Sequence, residues 1–306
     1  MSTRLLKAHV GLGAGLLALA LALAGCGGGG ETAPEKQQGA EQKTPSVQAD
    51  KALAARVPAD IKSAGAIKIG IDLSYPPNEF VGEDGTTPVG WDVELGKAIA
   101  GKLGLTAQYT SAKFDAIIPG LQSGKFAMGL SSFTISPERA KVVDFVSYYS
   151  AGTSWAVPKG NPDNVSIDDP CGLKIGVQQG TVQQTDDLPV RQQKCKEQGK
   201  KPIQVVPRGQ QTEVNADLVS GKVDAMLADS PIVGYAVQQT EGQVETLGQV
   251  YDTAPYGIAF QKGSKLAPVV RDAVQQLMDD GTYQKILKTW GAEDGAISTS
   301  ELNPAS

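Results

Sequence analysis

A group of hydroxyls beside one arginine is the part of this sequence best suited to binding a small charged molecule. Ser131, Ser132 and Thr134 stand where a strand is expected to end. Ser136-Pro137 then begins a helix, because serine is a favoured N-cap and proline suits the first helical position. Arg139 falls in the first turn of that helix, where its guanidinium can hold a carboxylate by two hydrogen bonds. Taken alone, the segment fits equally well a capped surface helix with an exposed arginine.

The composition limits the chemistry that the chain can perform. Its 306 residues include one histidine, His9, which lies in an expected export signal, and the net charge is -5. Without His9 the mature chain lacks a histidine for Ser-His-Asp or Cys-His catalysis and for a histidine-ligated metal. The negative charge offers no basic surface to nucleic acid. We therefore expect a binding protein, not a hydrolase, with no metal and no cofactor.

The N-terminus has the pattern of an export signal. Two basic residues precede an apolar run over residues 10–24, which is too short to be read as a membrane span. Leu23-Ala24-Gly25-Cys26 then resembles the lipobox of bacterial lipoproteins. That resemblance implies a signal peptide over residues 1–25, lipidation of Cys26, and an extracytoplasmic protein anchored to the bacterial cell membrane. The alternative is an ordinary signal peptide with an incidental cysteine.

The segment that follows Cys26 is predicted to be a tether. It is rich in Gly, Gln, Glu, Lys, Ala and Pro, with few large apolar residues, and cannot bury enough surface to offset its ordering entropy. We expect a flexible tether over residues 26–62. Further on, Cys171 and Cys195 remain as a pair in an oxidising compartment, and we expect a disulfide contributing about 3 kcal/mol.

The remainder of the chain alternates strands and helices, which predicts an α/β protein with mainly parallel sheets. In the first half we predict a strand over 66–71, a helix over 91–103, a strand near Gln108, and a helix over 114–121 that Pro119 shortens or kinks. In the second half we predict strands over 173–177, 203–206 and 224–227, with helices after Thr181 and over 214–218. The last third adds a strand over 256–260, a helix over 266–278 and an apolar helical stripe ending at Trp290.

One short phrase recurs at the same place in both halves. Leu121-Gln122-Ser123-Gly124-Lys125 and Leu218-Val219-Ser220-Gly221-Lys222 each end a predicted helix and precede a buried strand. Polar residues follow each strand, Ser131-Ser132 in the first half and Asp229-Ser230 in the second. Ser-Gly-Lys is a common helix end, so chance could supply the match. The equivalent positions nevertheless predict two lobes built on one plan, with a ligand held beyond the carboxyl ends of the strands.

Two chain crossings between the lobes are predicted, near Val157 and near Ala254, and together they would form a hinge that closes. The predicted limits are 63–157 for the first part of lobe one, 158–253 for the second lobe, 254–294 for the return to the first lobe, and 295–306 for a C-terminal tail.

Phrases spread over residues 67–290 together resemble one protein family, the bacterial extracellular solute-binding proteins of polar amino-acid ABC transporters (family 3), in a lipoprotein form. The resemblance implies a two-lobe fold of the type II periplasmic-binding-protein kind. The phrases are Ile69-Gly70-Ile71-Asp72, Tyr75-Pro76-Pro77, Gly90-Trp91-Asp92-Val93, Ser131-Ser132-Phe133-Thr134 with Arg139, Val142 with Asp144-Phe145, Gly176-Val177-Gln178-Gln179-Gly180-Thr181, Val223-Asp224-Ala225 with Asp229, Tyr256-Gly257-Ile258-Ala259 and Asp280-Gly281-Thr282.

The resemblance assigns roles to matching residues. Arg139 would hold the α-carboxylate of an amino acid, assisted by Thr134 and by backbone N–H groups after Gly180, where a helix N-terminus offers an anion site. Asp229 would pair with the α-ammonium, with Ser132 nearby. A second interpretation of Asp229 is a helix N-cap before a proline. The complete predicted ligand-binding set is Asp72, Tyr75, Asn78, Ser131, Ser132, Thr134, Arg139, Gln178, Thr181, Val182 and Asp229.

The other members of the set bear on the ligand's side chain. Tyr75 would pack on that side chain, or alternatively pack only within the lobe. Asp72 would contact the distal group of the ligand's side chain. The chain has Asn78 where many relatives have Phe and Val182 where a second Thr often assists the carboxylate. Ala127 replaces an Asp that usually precedes the polar end of the strand. Asp72, Asn78 and Gln178 favour a polar or basic side chain.

The leading hypothesis is a lipid-anchored substrate-binding protein that gives a free amino acid to the permease and ATPase subunits of an ABC importer, acting as a monomer. One alternative is an amino-acid sensor for a partner membrane receptor. A second is a cyclohexadienyl dehydratase-like enzyme on the same fold, for which Asp72 or Glu79 would be the candidate base.

Overall fold

The computed structural model describes residues 47–305. Its helices are α1 (Lys51–Arg56), α2 (Ala59–Ala64), α3 (Trp91–Lys102), α4 (Phe114–Gln122), α5 (Pro137–Ala140), α6 (Leu188–Glu197), α7 (Gln211–Val219), α8 (Ser230–Gln239), α9 (Ala267–Asp279) and α10 (Thr282–Trp290). The strands are β1 (Ala66–Ile71), β2 (Ser74–Tyr75), β3 (Glu79–Val81), β4 (Pro88–Val89), β5 (Thr106–Ser111), β6 (Met128–Thr134), β7 (Val143–Pro158), β8 (Lys174–Gln178), β9 (Gln204–Arg208), β10 (Ala225–Asp229) and β11 (Val244–Gln261).

One eight-stranded sheet runs through both halves of the protein in the order β5-β1-β6-β11-β7-β10-β8-β9. The three strands at each end are parallel, whereas β11 and β7 in the centre pair antiparallel with each other and with their outer neighbours. We name the half containing β5, β1 and β6 lobe 1, and the half containing β10, β8 and β9 lobe 2. The predicted two-lobe α/β fold is thus present, and the shared central pair joins its two sheets into one.

The central strand β11 is far longer than the strand predicted over 256–260, and its long partner β7 was not predicted. In lobe 1 they pair through residues 143–151 and 254–261, and in lobe 2 through residues 155–158 and 244–247. Between these stretches the register shifts on both sides of Tyr251, so regular pairing is interrupted where the chain passes between lobes. The predicted lobe limits and hinge positions remain predictions. Strand β7 shows no alternation of apolar and polar residues, because nearly all of its residues are buried on both faces of the sheet.

Part of the predicted tether is folded. All of residues 51–62 except 57 and 58 belong to α1 and α2. Asp50 caps α1 by accepting hydrogen bonds from the backbone N–H groups of Ala52 (2.8 Å) and Leu53 (2.9 Å). Leu53 and Val57 are buried in the core of lobe 1. The expectation of a flexible tether up to residue 62 is therefore wrong for this last stretch, because Leu53 of α1 and Val57 after it pack into that core. Residues 1–46, which include the predicted signal and Cys26, lie outside the described residues.

The predicted C-terminal tail is also packed. Leu302 forms an isolated bridge with Val146, and Asn303 donates its backbone N–H to the Phe145 carbonyl at 2.8 Å. The tail thereby covers the free edge of β7 in lobe 1, which would otherwise expose unpaired backbone groups.

The predicted disulfide is confirmed. Cys171 and Cys195 are bonded, with an S–S distance of 2.01 Å, and join the segment before β8 to α6 in lobe 2. Among residues 47–305, no helix has the length and apolar character needed to span a membrane.

Candidate functional site

The candidate site is a small cavity of about 10 Å³ lying between the lobes. In each lobe a helix ends at a glycine with positive φ, a buried strand follows, and the carboxyl end of that strand reaches the cavity. The glycines are Gly124 (φ 73°) before β6 and Gly221 (φ 69°) before β10. The cavity is lined by Tyr75, Phe114, Ser132, Thr134, Arg139, Thr181, Val182, Gln183 and Asp229.

Arg139 is held in the cavity by contacts with both lobes. As the sequence predicts, Ser136 caps the short helix α5, its Oγ accepting a hydrogen bond from the Arg139 backbone N–H at 3.3 Å. Nη1 donates to the Thr134 carbonyl at 2.8 Å and Nη2 to the Gly180 carbonyl at 2.9 Å. Because a guanidinium has five N–H donors, three remain for a ligand. Burial lowers the pKa of Arg139, and the charge of Asp229 opposes that shift.

Two aromatic rings pack against the Arg139 guanidinium. Its central carbon lies 5.3 Å from the Phe114 ring centroid and 5.6 Å from that of Phe133. The two rings stack with a centroid separation of 4.7 Å. This arrangement limits the freedom of the arginine and keeps it weakly solvated, which favours a firm carboxylate contact.

Asp229 ends β10 and is the anion of the opposite wall. Its Oδ2 accepts hydrogen bonds from the hydroxyls of Tyr75 (2.9 Å) and Tyr256 (2.6 Å), and its Oδ1 accepts one from Gln183 Nε2 at 2.7 Å. Burial raises the pKa of Asp229, and the hydrogen bonds from the tyrosines and Gln183 oppose the rise. Asp229 also occupies the N-cap position of α8, but its side chain makes no capping hydrogen bond there.

Asp72 and Gln178 form a second contact between the lobes, beside the cavity. Gln178 Nε2 donates to Asp72 Oδ2 at 2.9 Å, and the Phe114 backbone N–H donates to the same oxygen at 3.0 Å. Both side chains are buried, and burial raises the pKa of Asp72. Gln178 Oε1 has no hydrogen-bond partner. Neither residue lines the cavity itself, so the structure brings them next to the predicted site but not into it.

The turn after β8 forms part of the lobe 2 wall of the cavity. Gly180 adopts φ 82° and lies so close to Asp115 that an added Cβ would come within 2.9 Å of the Asp115 side chain. Thr181 Oγ1 donates to the Gln178 carbonyl at 2.8 Å, and a π-helical turn follows over Gln183–Asp187. Thr181 and Val182 both line the cavity, so the structure brings together these predicted residues with Arg139 and Asp229.

Ser131 and Asn78 lie behind the cavity wall. Ser131 Oγ donates to Glu79 Oε1 at 2.9 Å and accepts from the Asp72 backbone N–H at 3.0 Å. Asn78 is fully buried, accepting from Trp91 Nε1 and donating to Ser132 Oγ, each at 2.8 Å. The structure therefore separates these two predicted site residues from the cavity, where Ser132 is the serine that contributes.

Three residues of the site were not predicted from sequence. Phe114 begins α4 directly after β5, a position at the carboxyl end of a parallel strand that general fold rules mark as a ligand region. Tyr256 stands in a predicted strand, without a signal that its hydroxyl would reach Asp229. Gln183 is brought to the cavity by the π-helical turn, which no sequence pattern predicted.

The comparisons with known proteins agree with this architecture. The family model of bacterial extracellular solute-binding proteins, family 3, matches residues 67–293. The chain belongs to this family. The recognition made from sequence phrases is thereby confirmed.

Individual relatives cover most of the chain. The chain is similar to the arginine-binding protein ArgT of Corynebacterium glutamicum, with 34% identity over 251 residues covering 82% of each chain. It is also similar to the L-cystine-binding protein TcyJ of Escherichia coli K12, with 29% identity covering 76% of this chain and 85% of that protein.

Solved structures share the fold. An ancestral arginine-binding protein bound to arginine has a TM-score of 0.68 and 36% identity, covering 74% of this chain and 98% of that one. The ancestral amino acid-binding protein AncCDT-1, a precursor of cyclohexadienyl dehydratase, has a TM-score of 0.66 and 33% identity, covering 76% and 97%. These similarities confirm the two-lobe fold predicted from the sequence.

Proposed function

We propose that this protein captures a free amino acid between its two lobes and delivers it to the permease and ATPase subunits of an ABC importer. The observation that carries the proposal is one cavity with Arg139 on the lobe 1 wall and Asp229 on the lobe 2 wall. A zwitterion matches such a pair, and closing the lobes strengthens both interactions by excluding water. The names of the relatives support the same reading, since they bind arginine, cystine or other amino acids.

We assign the backbone of the amino acid to two groups of residues. Arg139, helped by Thr134, Thr181 and the backbone N–H at Val182, holds the α-carboxylate. Asp229 holds the α-ammonium, with Ser132 Oγ as a further acceptor. Asp229 accepts hydrogen bonds from the two tyrosine hydroxyls at Oδ2 and from Gln183 at Oδ1, and the ammonium joins this set at Oδ1, which has a lone pair to spare.

The side chain of the ligand is proposed to be basic, with arginine as the first candidate. The charges of Arg139 and Asp229 are matched by the zwitterion, which leaves Asp72 as a buried carboxyl beside the cavity without a cationic partner among the described residues. A positive side chain would replace the amide of Gln178 at Asp72. Tyr75 and Phe114 line the intervening space and suit an extended or planar cation.

We propose binding without catalysis. Of the carboxyl groups considered as a base, Asp72 is held by Gln178 and the Phe114 backbone, and Glu79 lies behind the serines and away from the cavity. We further propose that the mature chain begins at Cys26, is anchored outside the cytoplasm by its lipid, and works as a monomer.

A ligand panel tests the function and the ligand class together. The thermal midpoint of the full chain, purified in detergent, is measured with arginine, lysine, citrulline, glutamine, glutamate and cystine. A ligand at a hundred times its dissociation constant adds about 2.7 kcal/mol to the free energy of unfolding. We expect arginine to raise the midpoint most, and citrulline, its neutral analogue, much less. No shift with any amino acid contradicts the function, and a preference for glutamate contradicts only the basic side chain.

A pair of variants tests whether Asp72 contacts the basic side chain of the ligand. Asp72→Asn is expected to narrow the difference in affinity between arginine and citrulline, because it removes the charge that distinguishes them. The matched control is Asp115→Asn, which changes another inter-lobe carboxylate, bonded to Gln179 at 2.8 Å but absent from the cavity wall. If both variants keep the wild-type preference, Asp72 does not read the side chain.

A further inference from the structure

Behind Ser132 lies a pair of carboxyl groups that the binding site described above does not use. Glu79 on β3 and Asp92 at the start of α3 are both fully buried, with 0% exposure. Ser132 Oγ lies 3.2 Å from Glu79 Oε2 and 3.2 Å from Asp92 Oδ2, so one hydroxyl contacts both acids. The two groups form what we call the carboxyl pair.

The carboxyl pair has donors but no counter-charge. Asp92 Oδ2 accepts from the Ser132 backbone N–H at 3.0 Å and from the Tyr148 hydroxyl at 2.9 Å, and Glu79 Oε1 accepts from Ser131 Oγ at 2.9 Å. No lysine or arginine in residues 47–305 forms an ion pair with either group. The remaining titratable groups that act on the pair are another carboxylate and neutral phenols: Asp72, Tyr75, Tyr109, Tyr148, Tyr149 and Tyr283.

One oxygen of the pair is left without a donor. Asp92 Oδ1 is buried and has no hydrogen-bond partner. Two adjacent carboxylates cannot both be ionised in an interior without cations, because burial and mutual repulsion each disfavour the second charge. A proton held by Glu79 would satisfy the orphan oxygen of Asp92. Burial and the mutual contact raise the pKa of Glu79, and burial raises the pKa of Asp92 to about 7, which supports retention of a proton.

The residue that the pair holds is strained. Ser132 has φ 53°, in the left-handed region that a residue with a Cβ seldom adopts. Its backbone N–H and its hydroxyl are both fixed by the pair, and Asn78 Nδ2 donates to the same hydroxyl. Such a conformation persists only where the surroundings determine it strongly. Ser132 in turn lines the cavity.

We propose that Glu79 and Asp92 share one proton and, as a unit, position Ser132 for ligand binding. They act through Ser132 and do not themselves line the cavity. The inference deepens the proposed function and rests on it where amino-acid affinity is the measurement.

Amide substitutions test the shared proton. Glutamine resembles a protonated glutamate, so Glu79→Gln still donates to Asp92, and Asp92→Asn can donate to an ionised Glu79. In the double variant two amides face each other and no carboxylate remains to accept from Ser132. We expect each single variant to bind within about threefold of the wild type, and the double variant to lose at least about tenfold more than the product of the single losses. Losses that merely multiply, or a double variant that binds like the wild type, overturn the proposal.

Controls separate the pair from general damage and from failure of the proposed function. Glu94→Gln changes a neighbouring buried carboxylate on α3, bonded to Trp290 Nε1 at 3.0 Å, and is expected to leave affinity unchanged. Thermal midpoints without ligand, measured on the full chain, should show the same non-additivity. If no amino acid binds to any variant or to the wild type, the proposed function fails. The thermal midpoints without ligand then still test whether Glu79 and Asp92 share a proton.

A second comparison applies if the double variant does not fold. Glu79→Ala removes both the proton and the acceptor, whereas Glu79→Gln keeps them. The proposal requires Glu79→Gln to bind the amino acid at least about tenfold more tightly than Glu79→Ala does, since the amide replaces the contacts of the protonated acid. Equal losses in the two variants overturn it.

Discussion

Lobe 1 and lobe 2 present the same local unit to the cavity but supply opposite charges by different routes. In both lobes a helix ends at Ser-Gly, and a buried strand runs to the cavity. In lobe 2 the strand end itself carries the anion, Asp229. In lobe 1 the strand end carries a neutral serine, Ser132, and the cation Arg139 comes from the next helix, α5.

The difference shows what the repeated unit determines. Its helix stop and parallel strand set where a side chain meets the cavity, and the segments packed around it set the electrostatics. In lobe 1 those segments bring Glu79 and Asp92 behind the strand end, whereas in lobe 2 they bring Gln183, Tyr75 and Tyr256 onto Asp229. In the proposed function, this one scaffold serves the carboxylate of the ligand in lobe 1 and its ammonium in lobe 2.

The largest expected effect comes from removing the cation of lobe 1. Arg139→Ala should reduce amino-acid affinity by more than a hundredfold, or about 3 kcal/mol, because a desolvated carboxylate loses its charged partner. Arg139→Lys should recover part of this loss, since it keeps the charge without the two-pronged geometry. Titration calorimetry measures both. Unchanged binding heats in Arg139→Ala would mean that lobe 1 does not hold the carboxylate.

The disulfide is expected to stabilise lobe 2, where both of its cysteines lie. Replacing Cys171 and Cys195 by serine should lower the free energy of unfolding by about 3 kcal/mol, because the bond closes a loop of 24 residues in lobe 2. Affinity should change little, since neither cysteine lines the cavity. Denaturant unfolding of the oxidised protein and the variant measures the loss. An unchanged midpoint would show that the loop is equally restricted without the bond.

The anion of lobe 2 is expected to have a smaller and more selective effect. Asp229→Asn should cost about 2 kcal/mol with an amino acid and much less with the corresponding acid lacking the amine, because only the ammonium loses its charge partner. Asp217→Asn is the matched control, a buried aspartate of lobe 2 paired with Arg208 at 2.5 Å and Lys222 at 3.2 Å outside the cavity. Equal weakening of both ligand classes would make Asp229 a structural residue.

The smallest expected effect is the pH dependence of stability, to which buried acids of both lobes contribute. Burial raises the pKa of Asp72, Glu79 and Asp92 in lobe 1 and of Asp229 in lobe 2. The folded protein then holds more protons than the unfolded chain, so the free energy of unfolding falls as pH rises from the unfolded towards the folded pKa values of these groups. Between about pH 5.5 and pH 7.5, the ligand-free midpoint should therefore fall as pH rises.

Affinity should change in the opposite direction as pH rises through the raised pKa of Asp229. An ammonium binds best to ionised Asp229, so binding should tighten as pH rises. In Asp229→Asn this dependence should be reduced, while the pH dependence of the midpoint stays close to that of the wild type because the lobe 1 acids remain. Thermal midpoints and titrations across the pH series test the two trends. A midpoint that rises with pH would contradict the assigned pKa directions.

Local sequence patterns predicted many of the elements. The strand over 66–71 matches β1, the helix over 91–103 matches α3 within a residue, and Ser136-Pro137 begins α5 with the expected cap. These predictions succeed because caps, helix stops and apolar periodicity act within a few residues. Strand β7 and the small sheet β2-β3-β4 were not anticipated, since a doubly buried strand lacks alternation and strands of two or three residues are too short to show a period.

Site residues divide in the same way. Arg139, Asp229, Thr181 and Val182 were placed at strand or helix ends by sequence, and they line one cavity. Asn78 and Ser131 were expected beside them but lie behind the wall, where they bond to Ser132 and Glu79. A pattern along the chain specifies the end of an element, whereas the direction of each side chain depends on what packs against it.

The sequence by itself determined the family, most of the strands and helices, the pairing of two cysteines, and the presence of one cation and one anion near the ends of equivalent strands. Only the tertiary structure decided that β7 and β11 join both lobes, that Leu53 docks α1, and that Glu79 meets Asp92 behind Ser132. The first group rests on short-range propensities and residue types. The second rests on contacts between segments distant in the chain, whose burial and charge exist only after folding.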